Sequence, residues 1–74
     1  MSFAEYVVIY EQAEDGGWGA YVPDLPGLGV VGETRQEAER LIREGIRVYI
    51  EELHAMGKPS PAANTFSEVV KVPA

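Results

Sequence analysis

One stretch of helical periodicity constrains this chain more than any other feature. Apolar or small residues recur at three- and four-residue spacing across residues 38–53, which places them on one face of a helix. The members of this helix stripe are Ala38, Leu41, Ile42, Gly45, Ile46, Tyr49 and Leu53. A single apolar helix face must be buried against another layer of structure. The rest of the chain is therefore expected to form a sheet on which the stripe packs.

The ends of this helix are marked by capping signals. Thr34 and Glu37 have the spacing of a capping box, in which the Thr34 hydroxyl accepts from the Glu37 amide and the Glu37 carboxylate reaches back to the Thr34 amide. Gly57 is a typical stop, and prolines follow at positions 59 and 61. Together these signals predict one helix that starts after Thr34 and ends before Gly57.

Charges and a glycine define the two sides of the predicted helix. Glu39 with Arg43, and Arg47 with Glu51, have the i,i+4 spacing of ion pairs on the solvent side. Gly45 lies on the apolar stripe, although glycine costs about 1 kcal/mol relative to alanine inside a helix. We interpret Gly45 as a point of close approach between the helix and the sheet.

Four segments have the composition of β-strands. Residues 3–11, 18–22, 28–32 and 66–72 are rich in β-branched and aromatic side chains. The Glu-Asp-Gly-Gly sequence at residues 14–17 predicts a hairpin turn, because glycine supplies the positive φ that such turns need. Both faces of the first strand are apolar. This predicts a central strand, or a strand with one face covered by another chain.

A double-proline turn separates the second and third strands. In the segment Pro-Asp-Leu-Pro-Gly, Pro26 suits the second position of a type II turn and Gly27 the third. Asp24 lies between the prolines, and two roles are open for it. Its carboxylate can accept hydrogen bonds from its own turn, or it can contact a partner.

The predicted fold is a single α+β domain over residues 1–74. The element order is β-β-β-α-β, with an antiparallel sheet in one layer and the amphipathic helix in the other. A chain of 74 residues is long enough for one domain only. At about 0.05–0.15 kcal/mol per residue, its stability is roughly 4–11 kcal/mol. A second subunit would add buried area, so we expect a homodimer or higher homo-oligomer.

Charge is distributed unevenly along the chain. The formal net charge is −6, and residues 1–34 contain no Lys or Arg. The acids of that region are Glu5, Glu11, Glu14, Asp15, Asp24 and Glu33. Such asymmetry points to a cationic partner and opposes binding to DNA, although acids that only keep the protein soluble remain an alternative. The aromatic residues Tyr6, Tyr10 and Trp18 have no bases between them, so they suit a core or a dimer interface rather than base stacking.

Residues that support catalysis or cofactor binding are sparse. The chain has no cysteine and one histidine, His54, so we expect no metal site, no cofactor and no enzymatic activity. A nominal triad of Ser60 or Ser67 with His54 and Asp24 has no supporting spacing. The N-terminus lacks the pattern of a signal peptide, and no segment reaches the length of a membrane span. These observations predict a cytoplasmic binding protein.

Three sequence features together resemble the HicB family of antitoxins. They are the Glu-Asp-Gly-Gly-Trp loop at residues 14–18, the Val-Pro-Asp-Leu-Pro-Gly segment at 22–27, and the Gly-x-Thr-x-x-Glu-Ala helix start at 32–38. The resemblance implies a partial ribonuclease-H-like β-β-β-α-β fold without the nuclease's catalytic residues. It also implies a function, the neutralisation of a small basic HicA-type toxin that cleaves mRNA. Family members commonly add a DNA-binding domain, for which residues 58–74 are too few.

The acidic hairpin and the double-proline turn are the candidate partner-binding site. Its predicted contact residues are Glu11, Glu14, Asp15, Trp18 and Asp24. Two alternatives to an antitoxin remain open at this point. One is a homo-oligomeric structural or small-ligand domain that has no toxin partner. The other is a nuclease in which Asp24 or the hairpin acids hold magnesium, and this alternative requires carboxylates that converge on one point.

Overall fold

A three-stranded sheet followed by one helix forms the fold. The computed structural model describes residues 3–74, so Met1 and Ser2 of the predicted 1–74 domain lie outside the described residues. The elements are β1 (Ile9–Gln12), β2 (Trp18–Tyr21), β3 (Gly29–Gly32) and α1 (Arg35–Ala55). This order confirms the predicted α+β class and its two layers.

The sheet is antiparallel, with β2 in the centre. Its order is β1-β2-β3, and Ala20 lies opposite Tyr10 on one side and Val30 on the other. Because side chains alternate along a strand, these three residues share the face that packs on the helix. The opposite face carries Tyr21 and Val31, whose side chains are exposed. This face is called the open face below.

The core is small and comes from β2, the double-proline turn and the helix. Among residues 3–74 its five buried residues are Ala20, Val22, Leu25, Ala38 and Ile42. Leu25 and Ile42 are the largest fully buried side chains among residues 3–74. Leu25 comes from the double-proline turn, where the Leu28 amide donates to the Leu25 carbonyl at 3.2 Å and Gly27 has a φ of 84°. The predicted type II geometry is therefore confirmed, and the turn also supplies a core side chain.

The helix stripe is centred differently from the prediction. Ala38 and Ile42 are buried, whereas Leu41 is only half-buried and lies outside the core cluster. Ile50, which was not assigned to the stripe, packs against the core. Neighbouring helix positions differ by 100° around the axis, and strands of four residues cover only a narrow arc. Leu41, which is about 100° from Ile42 around the helix axis, therefore lies outside the buried face of the helix.

The helix cap and ion pairs partly follow the prediction. The Glu37 amide donates to Thr34 Oγ1 at 3.1 Å, but Glu37 Oε1 accepts from the Glu33 amide at 3.2 Å instead of the Thr34 amide. Glu39 pairs with Arg35 at 3.1 Å and not with Arg43. The predicted pair of Arg47 and Glu51 forms at 3.2 Å. Arg35 occupies the first turn, so it competes for the carboxylate that the sequence assigned to Arg43.

Gly45 has the predicted role of permitting close approach. A Cβ atom at this position would lie 2.9 Å from Cδ1 of Leu28, the residue that precedes β3. The contact is thus with the end of the double-proline turn rather than with a strand. The helix therefore packs on Leu28 as well as on the sheet.

Two predicted strand segments remain unpaired in the single chain. The ladder of β1 begins only at Ile9, so residues 3–8 of the predicted first strand are outside it. Residues 66–72 form no strand, and the predicted fifth element is therefore absent. A strand needs a neighbour for its backbone groups, and among residues 3–74 neither segment has one. Across residues 3–74, the structure also contains no helix with the length and apolarity to span a membrane.

Ile42 should dominate the stability of the fold. We expect Ile42→Ala to lower the free energy of unfolding by about 2–5 kcal/mol, because it removes a fully buried side chain and leaves a cavity. Leu41→Ala should lower the free energy of unfolding by less than Ile42→Ala does. Arg43→Ala, at an exposed position, should lower it by less than about 1 kcal/mol. Urea denaturation of the three variants measures the order. A larger loss for Leu41→Ala than for Ile42→Ala would contradict the observed placement of the helix.

Candidate partner-binding site

The β1–β2 hairpin presents two acids on a well-bonded turn. The Ala13 amide donates to the Gly17 carbonyl at 2.8 Å, and the Gly16 amide donates to Ala13 at 3.0 Å. Gly16 has a φ of 91°, as the turn prediction requires. Asp15 Oδ1 accepts from the Gly17 amide at 2.9 Å. The turn therefore holds the Asp15 carboxylate in place, and Glu14 beside it is exposed to solvent.

A groove of ≈ 670 Å³ lies at this end of the sheet, between the hairpin and the start of the helix. Four carboxylates line it, from Glu11, Asp15, Glu33 and Glu37. The side chains of Trp18 and Val31 add apolar surface. We call this feature the acidic groove. It brings together three of the five predicted contact residues, Glu11, Asp15 and Trp18.

A close approach between β3 and the helix builds one wall of the acidic groove. A Cβ atom on Gly32 would lie 2.9 Å from the Ala38 amide nitrogen and 3.2 Å from Glu37 Cβ. Only glycine allows the strand end to come so near the first helical turn. Glu33 and Glu37 were not among the predicted contacts. The capping box and the glycine before it were the sequence signals that could have located them.

An arginine from the helix lies beside the aromatic residues of the hairpin. The Arg35 guanidinium carbon is 5.0 Å from the centre of the Tyr10 ring and 5.8 Å from that of Trp18. These distances suit cation–π contacts. Trp18 is half-buried and packs against the core as well as lining the acidic groove. The hairpin thus acquires a base through the tertiary fold, although its own sequence has none.

Asp24 lies away from the acidic groove and holds a different segment. Its Oδ2 accepts from the amides of Asn64 and Thr65, each at 3.0 Å. Its Oδ1 accepts from the Thr65 hydroxyl at 2.9 Å. The carboxylate is thus bonded to residues about forty positions away rather than to its own turn. Asp24 anchors the segment of residues 58–65, which is called the connector below.

Two tyrosine hydroxyls strengthen the same part of the structure. Tyr6 donates to the Pro61 carbonyl of the connector at 2.7 Å, and Tyr49 donates to the Pro26 carbonyl of the double-proline turn at 2.9 Å. The first bond ties the connector to the segment before β1. The second ties the turn to the helix. Neither bond was anticipated, because both partners are backbone carbonyls distant in sequence.

The residues of the nominal triad do not assemble. His54 Nε2 lies 2.9 Å from Ser60 Oγ on the surface, while Asp24 is bonded to Asn64 and Thr65. Within the described part of the chain, no three His, Asp or Glu residues are placed to hold a metal ion. The converging carboxylates that the magnesium alternative requires are therefore not found in residues 3–74.

The structure is a small α+β domain with an acidic groove at the hairpin end. Comparison with known proteins identifies its family. The family model described as "HicB_like antitoxin of bacterial toxin-antitoxin system" matches residues 6–74. The chain therefore belongs to the HicB-like antitoxin family, and this membership confirms the resemblance seen in its sequence. It also indicates a role in a toxin–antitoxin system.

Relatives from distant organisms share most of the chain. A UPF0150 protein of Thermoplasma acidophilum is 42% identical over 60 residues, which are 81% of this chain and 87% of the relative. A UPF0150 protein of Synechocystis is 43% identical over 56 residues, 76% of this chain and 71% of the relative. No solved structure shows significant similarity to the chain.

Two glycines of the sheet should respond differently to substitution. Gly32→Ala should lower the free energy of unfolding by about 1–3 kcal/mol, because the new Cβ would meet backbone of the helix. Gly19→Ala is the matched control in β2, since its Cβ would lie 3.8 Å from the nearest atom. It should be neutral or stabilising by up to about 1 kcal/mol. Equal losses in thermal unfolding would contradict the close approach at Gly32.

Loss of the Asp24 carboxylate should free the connector. Hydrogen bonds to a charged group contribute about 1.5–3 kcal/mol each. Hydrogen exchange at the Asn64 and Thr65 amides should therefore speed up by roughly 10- to 150-fold in Asp24→Ala. Glu14→Ala removes the same charge from an exposed site and serves as the control. Unchanged exchange at both amides in Asp24→Ala would show that the observed bonds do not hold the connector.

Proposed function

We propose that this protein neutralises a small basic toxin of the HicA type by binding it at the acidic groove and the adjoining hairpin turn. Family membership supports an antitoxin role. The observation that carries the choice of surface is the grouping of four carboxylates beside Trp18. The protein acts by binding and not by catalysis. Its target cleaves mRNA, so the complex forms in the cytoplasm.

The proposed contact has an electrostatic part that acts at a distance. Glu11, Glu14 and Asp15 are exposed at the hairpin, and Glu33 adds a fourth charge across the acidic groove. Clustered charges of one sign raise the association rate of an oppositely charged partner. The effect weakens with salt, because the Debye length falls from about 10 Å at 0.1 M to about 3 Å at 1 M.

Charge alone does not hold such a complex together. Exposed ion pairs contribute about 0–1 kcal/mol each, so apolar and backbone contacts must supply most of the affinity. Trp18 and Val31 line the acidic groove and provide apolar surface, and Val31 is 80% exposed. A lysine or arginine of the toxin can place its charge among the carboxylates and its aliphatic stem on these side chains.

Asp24 has an indirect part in this proposal. Its carboxylate already accepts three hydrogen bonds from Asn64 and Thr65. A toxin could reach it only by displacing the connector. We therefore assign the toxin contact to Glu11, Glu14, Asp15 and Trp18, and to Asp24 the placement of the C-terminal part of the chain.

Neutralising the hairpin acids should slow association with the toxin. The test needs a candidate toxin, which we expect to be a small basic protein encoded beside this gene and which is used in a catalytically inactive form. The variant combines Glu11→Gln, Glu14→Gln and Asp15→Asn, and the last change keeps a side-chain oxygen for the Gly17 amide. Stopped-flow measurement at low salt should show an association rate at least about tenfold lower, with a smaller change in dissociation.

A matched control separates local charge from net charge. Glu44→Gln, Glu51→Gln and Glu52→Gln remove three acids from the exposed side of the helix. This variant should associate at nearly the wild-type rate. Equal slowing by both variants would show that only net charge matters, and an unchanged rate for the hairpin variant would overturn the assignment of the acidic groove. Failure of the neighbouring protein to bind at all would overturn the proposed toxin partner.

A further inference from the structure

The residues after the connector have the sequence pattern of a strand, but no other segment within residues 3–74 pairs with them. Residues 66–72, called the tail below, alternate between a mostly apolar face and a mixed face. Phe66, Val69, Val70 and Val72 are 87%, 100%, 65% and 70% exposed. An extended apolar segment with unpaired backbone groups readily pairs with another chain. The tail therefore has the properties of a strand whose backbone hydrogen bonds are made with another chain.

The start of the tail is fixed in space. Asp24 holds Asn64 and Thr65, and Tyr6 holds the Pro61 carbonyl. Beyond these bonds the chain contributes nothing to the core. The molecule measures 47 × 27 × 21 Å and has a radius of gyration of 14.2 Å, compared with about 11 Å for a compact domain of this length. The tail thus begins beside hydrogen-bonded residues, and its apolar side chains are exposed to a second molecule.

An unpaired edge lies beside the start of the tail. Residues 3–8 make no backbone hydrogen bond with the rest of the described chain, although they continue directly into β1. Because β2 is the central strand, β1 also has a free outer edge. A groove of ≈ 670 Å³ separates residues 3–7 from the end of the connector and Phe66. The connector therefore leaves open space beside residues 3–7.

We propose that two copies of this protein exchange their tails, each tail adding as a strand along residues 3–12 of the other copy. The donor and the acceptor edge are both present in one chain, and each tail begins beside the edge that the partner's tail would fill. Two molecules related by a twofold axis can therefore exchange tails reciprocally, so that both the tail and residues 3–12 are paired in each copy. The proposal does not depend on toxin binding.

Charge and side-chain pattern agree with this pairing. The acceptor edge carries Glu5 and Glu11 and has no base, while the tail carries Lys71 together with Glu68. Strand addition places Lys71 near an acidic edge. On the mostly apolar face of the tail, Phe66, Val70 and Val72 gain cross-strand neighbours from the first strand, whose two faces are both largely apolar. Tail exchange therefore gives partial cover to apolar side chains that are exposed in the single chain.

Molecular mass gives the first test. Sedimentation equilibrium at micromolar concentration should give twice the 8.1 kDa chain mass. The double variant Val69→Pro/Val70→Pro removes two successive backbone amides. Because successive amides of a strand point to opposite edges, one of the two would have bonded to the acceptor edge, so the mass should fall to that of one chain. Val69→Ile/Val70→Ile keeps both amides and should remain a dimer. Retention of the helical circular dichroism shows that the proline variant still folds, since the tail is outside the core. A monomeric wild type, or a dimeric proline variant, would overturn the proposal.

The position of the tail in the dimer gives the second test. The chain has no cysteine, so Glu68→Cys accepts a single spin label on the tail. The labelled protein without ¹⁵N is mixed with ¹⁵N-labelled wild type, which makes all observed broadening intermolecular. Tail exchange predicts the strongest loss of amide signal at residues 3–12. Strongest broadening at residues 66–72 would show that tails pair with each other. Strongest broadening at Gly19, Tyr21 and Val31 would place the tail on the open face. Either result would overturn the proposal.

Discussion

Burial of one helix face on a very small sheet is the constraint on which the rest of this structure depends. Each strand has four residues, and only five side chains are buried among residues 3–74. Ile42 from the helix and Leu25 from the double-proline turn fill the centre. A core of this size has little spare stability, since a domain of this length is stabilised by roughly 4–11 kcal/mol. Gly32 lets the end of β3 approach the first helical turn closely, and Gly45 lets the helix approach Leu28 at the end of the double-proline turn.

The same small core explains why polar contacts hold the periphery. Strands this short leave long segments before β1 and after the helix without ladder bonds. Asp24 and Tyr6 replace these bonds with side-chain contacts to the connector, and Tyr49 fixes the double-proline turn to the helix. The side of the sheet away from the helix remains open. A family that acts through protein partners can use such surfaces, whereas a larger domain would have buried them.

The two ends of the molecule have different chemistry. The hairpin end carries clustered carboxylates with Trp18 and Val31, which suits a cationic partner. The other end carries the tail, whose exposed apolar side chains suit a second strand. Asp24 is part of the second end, because it holds the residues from which the tail begins. The proposed toxin contact and the proposed tail exchange therefore lie mainly at different ends of the molecule, and both include Glu11 of β1.

Local sequence determined the helix, its cap at Thr34, the two turns and the acidic hairpin, because spacing, glycine and proline act over a few residues. The family resemblance was also readable, since its motifs lie in those turns. Tertiary structure alone decided that Ile42 and not Leu41 fills the core. Both residues belong to the apolar stripe, and which of them is buried depends on how much of the helix circumference the sheet covers. It also placed Arg35 beside Trp18, and Asp24 against Thr65. Those contacts join residues far apart in the chain. Composition predicted a final strand at residues 66–72, but a strand exists only where a neighbour bonds to its backbone, and the described residues 3–74 offer none.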